Sequence, residues 1–176
     1  MTRIRISRRQ SRSSSMSLNI RRVRPGEAGL VLDFVRELAE YEKLSHEVEA
    51  TEADIATALF GIDPRLFCAI AEWNGEPVGF AVWFLNFSTF SGRHGIYLED
   101  LYVRPSHRGK GLGKALLIYL AKECVDSGWS RLQWAVLDWN APSIAFYKSL
   151  GAVMLDDWTL CRVSGPALTR LAGSTS

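Results

Sequence analysis

The chain has 176 residues, 47% of them apolar, enough to bury the core of one ordinary domain and too apolar for a disordered chain. No apolar run approaches the roughly 18 residues of a membrane span, so a membrane-spanning helix is excluded and a soluble protein is expected. The net charge of +2 is unevenly spread: residues 1–15, MTRIRISRRQSRSSS, hold five Arg and no acid, and the remainder, 16 basic against 19 acidic residues, stands at −3. That mildly acidic body suits a cationic ligand better than nucleic acid or a membrane surface.

The first 17 residues are set apart as a basic Arg/Ser-rich tail, and 18–173 are taken as one domain. Three readings of the tail stand: an over-long start ahead of Met16, a solvated extension, or a transit-like segment. Cys68, Cys124 and Cys161 form no C-x-x-C pair and no Cys/His metal spacing. They read as reduced thiols of a cytoplasmic protein without a metal.

In chain order, LNIRRVR (18–24) alternates as a first strand and is broken by Pro25-Gly26. Apolar residues then recur at threes and fours from Glu27 to Lys43, an amphipathic helix. Thr51 with Asp54 resembles a helix cap opening a second helix to about Phe60. LFCAIAEW (66–73) and PVGFAVWFLNF (77–87) are strands joined by Asn74-Gly75, a hairpin signal. A loop spans 88–93. GIYLEDLYV (95–103) is the next strand, 112–127 a helix ending at Gly128, and RLQWAVLDW (131–139) a strand. Asn140-Ala141-Pro142 opens a helix ending at Leu150-Gly151. Trp158 to Val163 reads as a last strand, with a short helix from Pro166. A meander passing into βαβα predicts an α/β fold with a mixed sheet.

RGKGLGK, residues 108–114, lies between a strand and a helix. Glycine permits positive φ and close approach to the backbone. A helix start offers free N–H groups and partial positive charge. Arg108, Gly109, Lys110, Gly111, Leu112, Gly113 and Lys114 together can cradle an anion, most naturally phosphate. The loop fails the Walker pattern, because Gly113-Lys114 is followed by Ala115, and its G-x-G-x-G spacing fails the dinucleotide pattern. An ordinary glycine-softened turn remains the bland alternative for the loop taken alone.

With the strand YLEDLYV before it, R-x-x-G-x-G resembles the coenzyme A pyrophosphate loop of the GCN5-related N-acetyltransferases. VLDWNAPSIAFYKSLGA (136–152) resembles the second signature of that family. LAEYEKLSHEV (38–48), YLEDLYVRPSHRGKGLG (97–113) and LTRLAG (168–173) are similar to the diamine acetyltransferases, most of all to their thialysine N-acetyltransferase branch. The resemblance implies a single-domain α/β fold of mixed, mostly antiparallel sheet with helices on both sides and splayed central strands. It implies acetyl-CoA as co-substrate, a small amine as acceptor, no metal, and a homodimer.

It also implies roles. An alkylammonium with a pKa near ~10.4 must lose a proton before it can attack, and the leaving thiolate must gain one. Tyr147, in N-x-P-S-x-x-F-Y, stands where the family carries its acid, with Ser143 one turn before it. Glu99 stands where it carries a water-mediated base. In a regular strand Glu99 and Asp100 face opposite ways, and Asp100 reads as a structural hydrogen-bond acceptor. Leu101, Tyr102 and Val103 would pair with the pantetheine arm as an added strand does, a bulge there splaying the strand. Asn140 and Ser143 would contact the cofactor, Asn140 reaching the same arm or capping its helix. Tyr41, Glu42, Trp134 and Asp157 fall at acceptor positions. Tyr41 and Trp134 read equally well as core, and LDDW fixes Asp157 only to within one residue. The function expected is an N-acetyltransferase by direct attack. The alternatives are a protein or peptide acetyltransferase, or a non-catalytic acyl-CoA-binding protein.

Overall fold

Asn74 and Gly75 have φ of 54° and 84°, the left-handed pair that a two-residue hairpin of type I′ requires. In the computed structural model, which describes residues 16–174, that turn joins β2 (Phe67–Trp73) to β3 (Glu76–Ser88). The readings of the basic segment 1–15 lie outside the described residues. A tight turn closed by the Gly92 amide on the Ser88 carbonyl leads into β4 (Arg93–Val103). With β1 (Leu18–Arg22) and β5 (Leu132–Trp134) these strands form one sheet in the order β1-β2-β3-β4-β5. Neighbours are antiparallel except β4 and β5, which run parallel. The sheet is therefore mixed and mostly antiparallel, as expected.

The helices are α1 (Ala28–Tyr41), α2 (Glu52–Phe60), α3 (Leu112–Asp126), α4 (Ala141–Ser149) and α5 (Gly165–Ala172). Thr51 and Asp54 cap α2 reciprocally, side chain to backbone in both directions, a full capping box. The chain forms two compact units, one ending at Ala135 with the sheet and α1 to α3, the other running from Val136 with α4 and α5.

Within the first unit, the sheet is covered on both faces. Val31 and Phe34 of α1 and Leu59 of α2 pack on Cys68, Ile70, Phe80, Val82 and Tyr102. Phe34 stacks on Phe80 with ring centroids 5.3 Å apart. Strand alternation turns Ala69, Ala71, Ala81 and Trp83 to the other face, where α3 buries Leu112, Leu116 and Leu120 and Tyr119 meets Trp83 edge-on at 6.3 Å. Arg104 ties the end of β4 to α1: its guanidinium donates to Glu37 at 2.8 Å and to the Pro77 carbonyl at 3.1 Å, and lies 4.9 Å over the Phe34 ring.

Two expected strands differ. The 131–139 strand is cut to Leu132–Trp134, because only Ile96, Tyr97 and Leu98 of β4 pair with it; beyond it the chain turns, with Asn140 N–H on the Leu137 carbonyl at 2.8 Å. The 158–163 segment is no strand: it has no ladder partner among the described residues, and Trp158 and Leu160 are nearly four-fifths exposed. Apolar alternation alone does not make a strand where no sheet edge receives it.

Because Phe34 joins α1, β3 and the Arg104 tie, Phe34→Ala is expected to lower unfolding free energy by about 3–5 kcal/mol in urea denaturation, with Leu at the same position costing well under half of that.

Candidate active site

The ladder between β3 and β4 slips once. Val82 faces Asp100 and Trp83 faces Leu98, so Glu99 is an extra residue with no partner across the strand, a β-bulge. It has two consequences. First, the alternation expected for Glu99 and Asp100 does not hold: Asp100 shares the sheet face of Val82 and Tyr102, and Glu99 is exposed at the bulge. Second, the pairing with β5 stops at Leu98 opposite Trp134, so among the described residues Leu101, Tyr102 and Val103 pair with no strand on that side, and the Val103 carbonyl accepts from Arg108 Nε instead. The β4–β5 pairing expected to break there does end at Leu98, next to the bulge.

Beside the bulge stands the C-terminal end of α1. Its last residue is Tyr41, and Glu42 is the cap. The chain leaves through Lys43 at φ 62°, with Lys43 N–H on Glu40 and Leu44 N–H on Ala39, a Schellman closure made without glycine. Burial pushes the Glu42 carboxyl above its ordinary range. Asp100 is pushed up to about 6, first by burial and then by the nearby charges of Glu99 and Glu42. The three carboxylates therefore share one neighbourhood, in which a cation is favoured and a proton is readily accepted.

The glycine loop follows β4 through a single turn of 3-10 helix, Pro105–His107. Gly109 and Gly111 have φ of 76° and 84°, and a Cβ at either would meet nothing within 4 Å. Conformation, not crowding, is what requires glycine at these positions. Gly111 is the N-cap of α3 and no side chain caps that end. The amides that open the helix, at Leu112, Gly113 and Lys114, have no intrahelical acceptor. A long helix whose first turn is uncapped, preceded by left-handed glycines, fits a diphosphate.

The basic side chains are distributed less simply than the motif suggested. Lys110 lies 5.3 Å from the Trp73 ring, and Lys114 is exposed. Arg108 is turned toward β4 and α1: its Nε donates to the Val103 carbonyl at 2.9 Å, and its guanidinium lies 4.5 Å over Tyr41 and 5.6 Å from the Tyr102 ring. Trp134 sits half-buried on β5 opposite Leu98.

The remaining expected residues belong to the second unit. Asn140 is buried and accepts the Ser143 amide at 3.3 Å through its Oδ1, so it caps α4. Tyr147 is buried one turn beyond Ser143, its ring 5.4 Å from Phe146. Asp157 and Asp156 are exposed in a turn. The sequence missed two features of the first unit. Asp100, expected to accept a structural hydrogen bond, accepts none from the described residues; its elevated proton affinity depends on the bulge, for which strand alternation carries no signal. The Arg108–Tyr41 stack joins residues 67 positions apart, beyond the reach of any local motif. Among the described residues no group of three His, Cys, Asp or Glu is placed to hold a metal ion.

Comparison with known proteins gives a consistent picture. The family described as Acetyltransferase (GNAT) matches residues 32–152. A thialysine N-epsilon-acetyltransferase of Bos taurus is 41% identical over 88% of this chain and 96% of its own length. L-ornithine N5-acetyltransferase NATA1 of Arabidopsis thaliana is 28% identical, covering 87% of each chain. Among solved structures, an integron cassette protein from the mobile metagenome of V. cholerae superposes with a TM-score of 0.76 at 29% identity, over 91% of this chain and all of its own.

The state of Asp100 has a thermodynamic signature. Its proton affinity is raised in the fold, so the protonated fold is favoured below the ordinary carboxyl range and that stability is lost as pH rises through about 6. Asp100→Asn, which stays neutral, is expected to match the parent at pH 4 and to exceed it by about 2 kcal/mol at pH 8. Urea unfolding at the two pH values measures this, and equal differences at both would show Asp100 to be ordinarily solvated.

Proposed function

The chain belongs to the GNAT acetyltransferase family and is an acetyltransferase; from that premise we propose that it moves the acetyl group of acetyl-CoA to the side-chain amine of a small cationic acceptor, either a lysine-like amino acid such as thialysine or ornithine, or a diamine. The observation that carries this reading is the bulge at Glu99, which frees the edge of β4 beyond Leu98 and stands a carboxylate at the break.

Acetyl-CoA supplies an acyl group activated as a thioester. The β4 edge at Leu101, Tyr102 and Val103, where the Val103 carbonyl is already held by Arg108, suits an extended amide-bearing arm, by main-chain hydrogen bonds of the kind a strand makes. The amides of Gly111 to Lys114, at the uncapped start of α3, suit its diphosphate. On the acceptor side, Tyr41 and Glu42 end α1 beside Asp100 and Glu99. Carboxylates there attract an alkylammonium and raise its local concentration. Trp134 and Asp157 remain assigned to the acceptor side on their sequence positions.

In the proposed reaction Glu99 takes a proton from the ammonium through water, freeing the nitrogen lone pair. The nitrogen then bonds to the thioester carbon. As the carbon–sulfur bond breaks, Tyr147 gives its phenolic proton to the departing sulfur, the nitrogen sheds its second proton to water to become the amide, and a proton from water restores the tyrosinate. Asp100 lies beside Glu99, its own carboxyl pushed up to about 6, first by burial and then by the charges of Glu99 and Glu42. Cys68, buried and with its thiol pushed up by burial, is unsuited to an acyl-cysteine route. We place the enzyme in the cytoplasm and expect it to act as a homodimer, on its resemblance to the diamine acetyltransferases.

The deciding assay follows acetyl-CoA consumption with thialysine, ornithine, lysine, spermidine, putrescine and a histone-like peptide. Turnover on one or more of the free amines, and little on the peptide, is expected; turnover on the peptide alone would move the enzyme to the protein acetyltransferases. Tyr147→Phe is expected to lower kcat by about 10²-fold with little change in the KM for acetyl-CoA. An unchanged kcat would remove Tyr147 from the acid role.

A further inference from the structure

Arg108 is an exposed arginine with an unusual set of neighbours. Its Nε is committed to the Val103 carbonyl, and its flat face to Tyr41 and Tyr102. Its two terminal nitrogens hydrogen-bond to none of the described residues and form no ion pair with them. By contrast, Arg21, Arg22, Arg65 and Arg104 are all paired with carboxylates within 2.8 Å. The Nε bond and the stack fix the plane of the guanidinium, so its outer edge is a preset two-pronged donor. The stacking partner is the last residue of α1, and the next residue is Glu42, whose charge reaches Asp100 together with that of Glu99. The wall of the candidate acceptor site therefore carries carboxylates and, against Tyr41, one guanidinium with an open edge.

Such a wall suits a zwitterion. A diamine offers only cations, so its second ammonium is repelled by the guanidinium and gains nothing from that edge, whatever it finds among the carboxylates. An amino acid with an amine on its side chain offers a carboxylate for the guanidinium fork, in the bidentate geometry that arginine favours, while its ammonium faces the acidic group. Resting on the acetyl-transfer reading above, we propose that Arg108 is a specificity-determining residue that binds the α-carboxylate of the acceptor, so that the substrate class is basic amino acids rather than diamines.

The motif position of Arg108 raises a competing role, contact with the diphosphate of acetyl-CoA. The two roles separate by using acceptors that differ only in the carboxylate: thialysine against bis(2-aminoethyl) sulfide, and ornithine against putrescine. In each pair kcat/KM is measured for the parent, Arg108→Gln and Arg108→Lys at saturating acetyl-CoA. The ratio of amino acid to decarboxylated amine is expected to favour the amino acid in the parent and to fall on the order of 10- to 100-fold in Arg108→Gln, with a smaller fall in Arg108→Lys, which keeps charge without the fork. A weakened diphosphate contact lowers both members of a pair together and leaves the ratio unchanged; that result, or a parent that prefers the diamines, overturns the inference while leaving acetyl transfer intact. Absence of turnover on all four acceptors would instead sink the small-amine reading on which the inference rests.

Discussion

One extra residue in one strand governs the site. A bulge at Glu99 costs a rung of the ladder, and the β4 pairing with β3 resumes immediately at Asp100. What does not resume is the pairing with β5, which ends at Leu98. Parallel neighbours separated this way leave main-chain donors and acceptors exposed in the middle of a sheet, which is unfavourable unless another chain-like molecule completes them. The same slip turns Asp100 toward the α1 face. A strand in strict register could not both open its edge and bring two consecutive acidic residues to one end of one helix.

The rigidity that holds this break in place comes from both faces of the sheet. Phe34 against Phe80 and the Arg104–Glu37 pair tie the strand ends flanking the bulge to α1, and Trp83, opposite Leu98 at the bulge itself, is held between Tyr119 of α3 and the guanidinium of Arg22, 4.5 Å above its ring. Arg22 in turn pairs with Glu123 of α3 at 2.7 Å. An exposed ion pair of this sort contributes little by itself; its value here is the stacked aromatic surface beneath it, which excludes water from the strand beside the break.

The fold was legible where local chemistry decides it. Asn74-Gly75, the Thr51–Asp54 box, Gly128 after α3 and the glycines at 109 and 111 each impose a backbone state on their own neighbourhood, and each element they bound appears where expected. The failures have the opposite character. Residues 135–139 and 158–163 are rich in apolar residues, but a strand needs a partner edge, and whether one exists is decided by residues far away in sequence. The site divides the same way. Gly111 and the α3 start follow from a spacing, and Asn140 caps α4 as its position suggested. The environment of Asp100 and the stacking of Arg108 on Tyr41 follow from the bulge and from α1 meeting β4, which no window of the sequence contains.

The gathered carboxylates also set how the site responds to its ligand. Burial first, and then the charges of Glu99 and Glu42, push Asp100 up to about 6, and burial pushes Glu42 up as well. An ammonium entering their midst reverses the balance: opposite charge close by favours the ionised carboxylate by the same Coulomb term that made it unfavourable among like charges. Cation binding below about pH 7 is then coupled to proton release, and the site holds its cation less tightly as the medium becomes acidic. The cost of holding Asp100 ionised, set first by burial and then by the charges beside it, is partly offset when a cation enters. On the proposed reading, placing part of that cost on a half-buried aspartate leaves exposed Glu99 for proton transfer, with attraction and proton transfer on two separate groups.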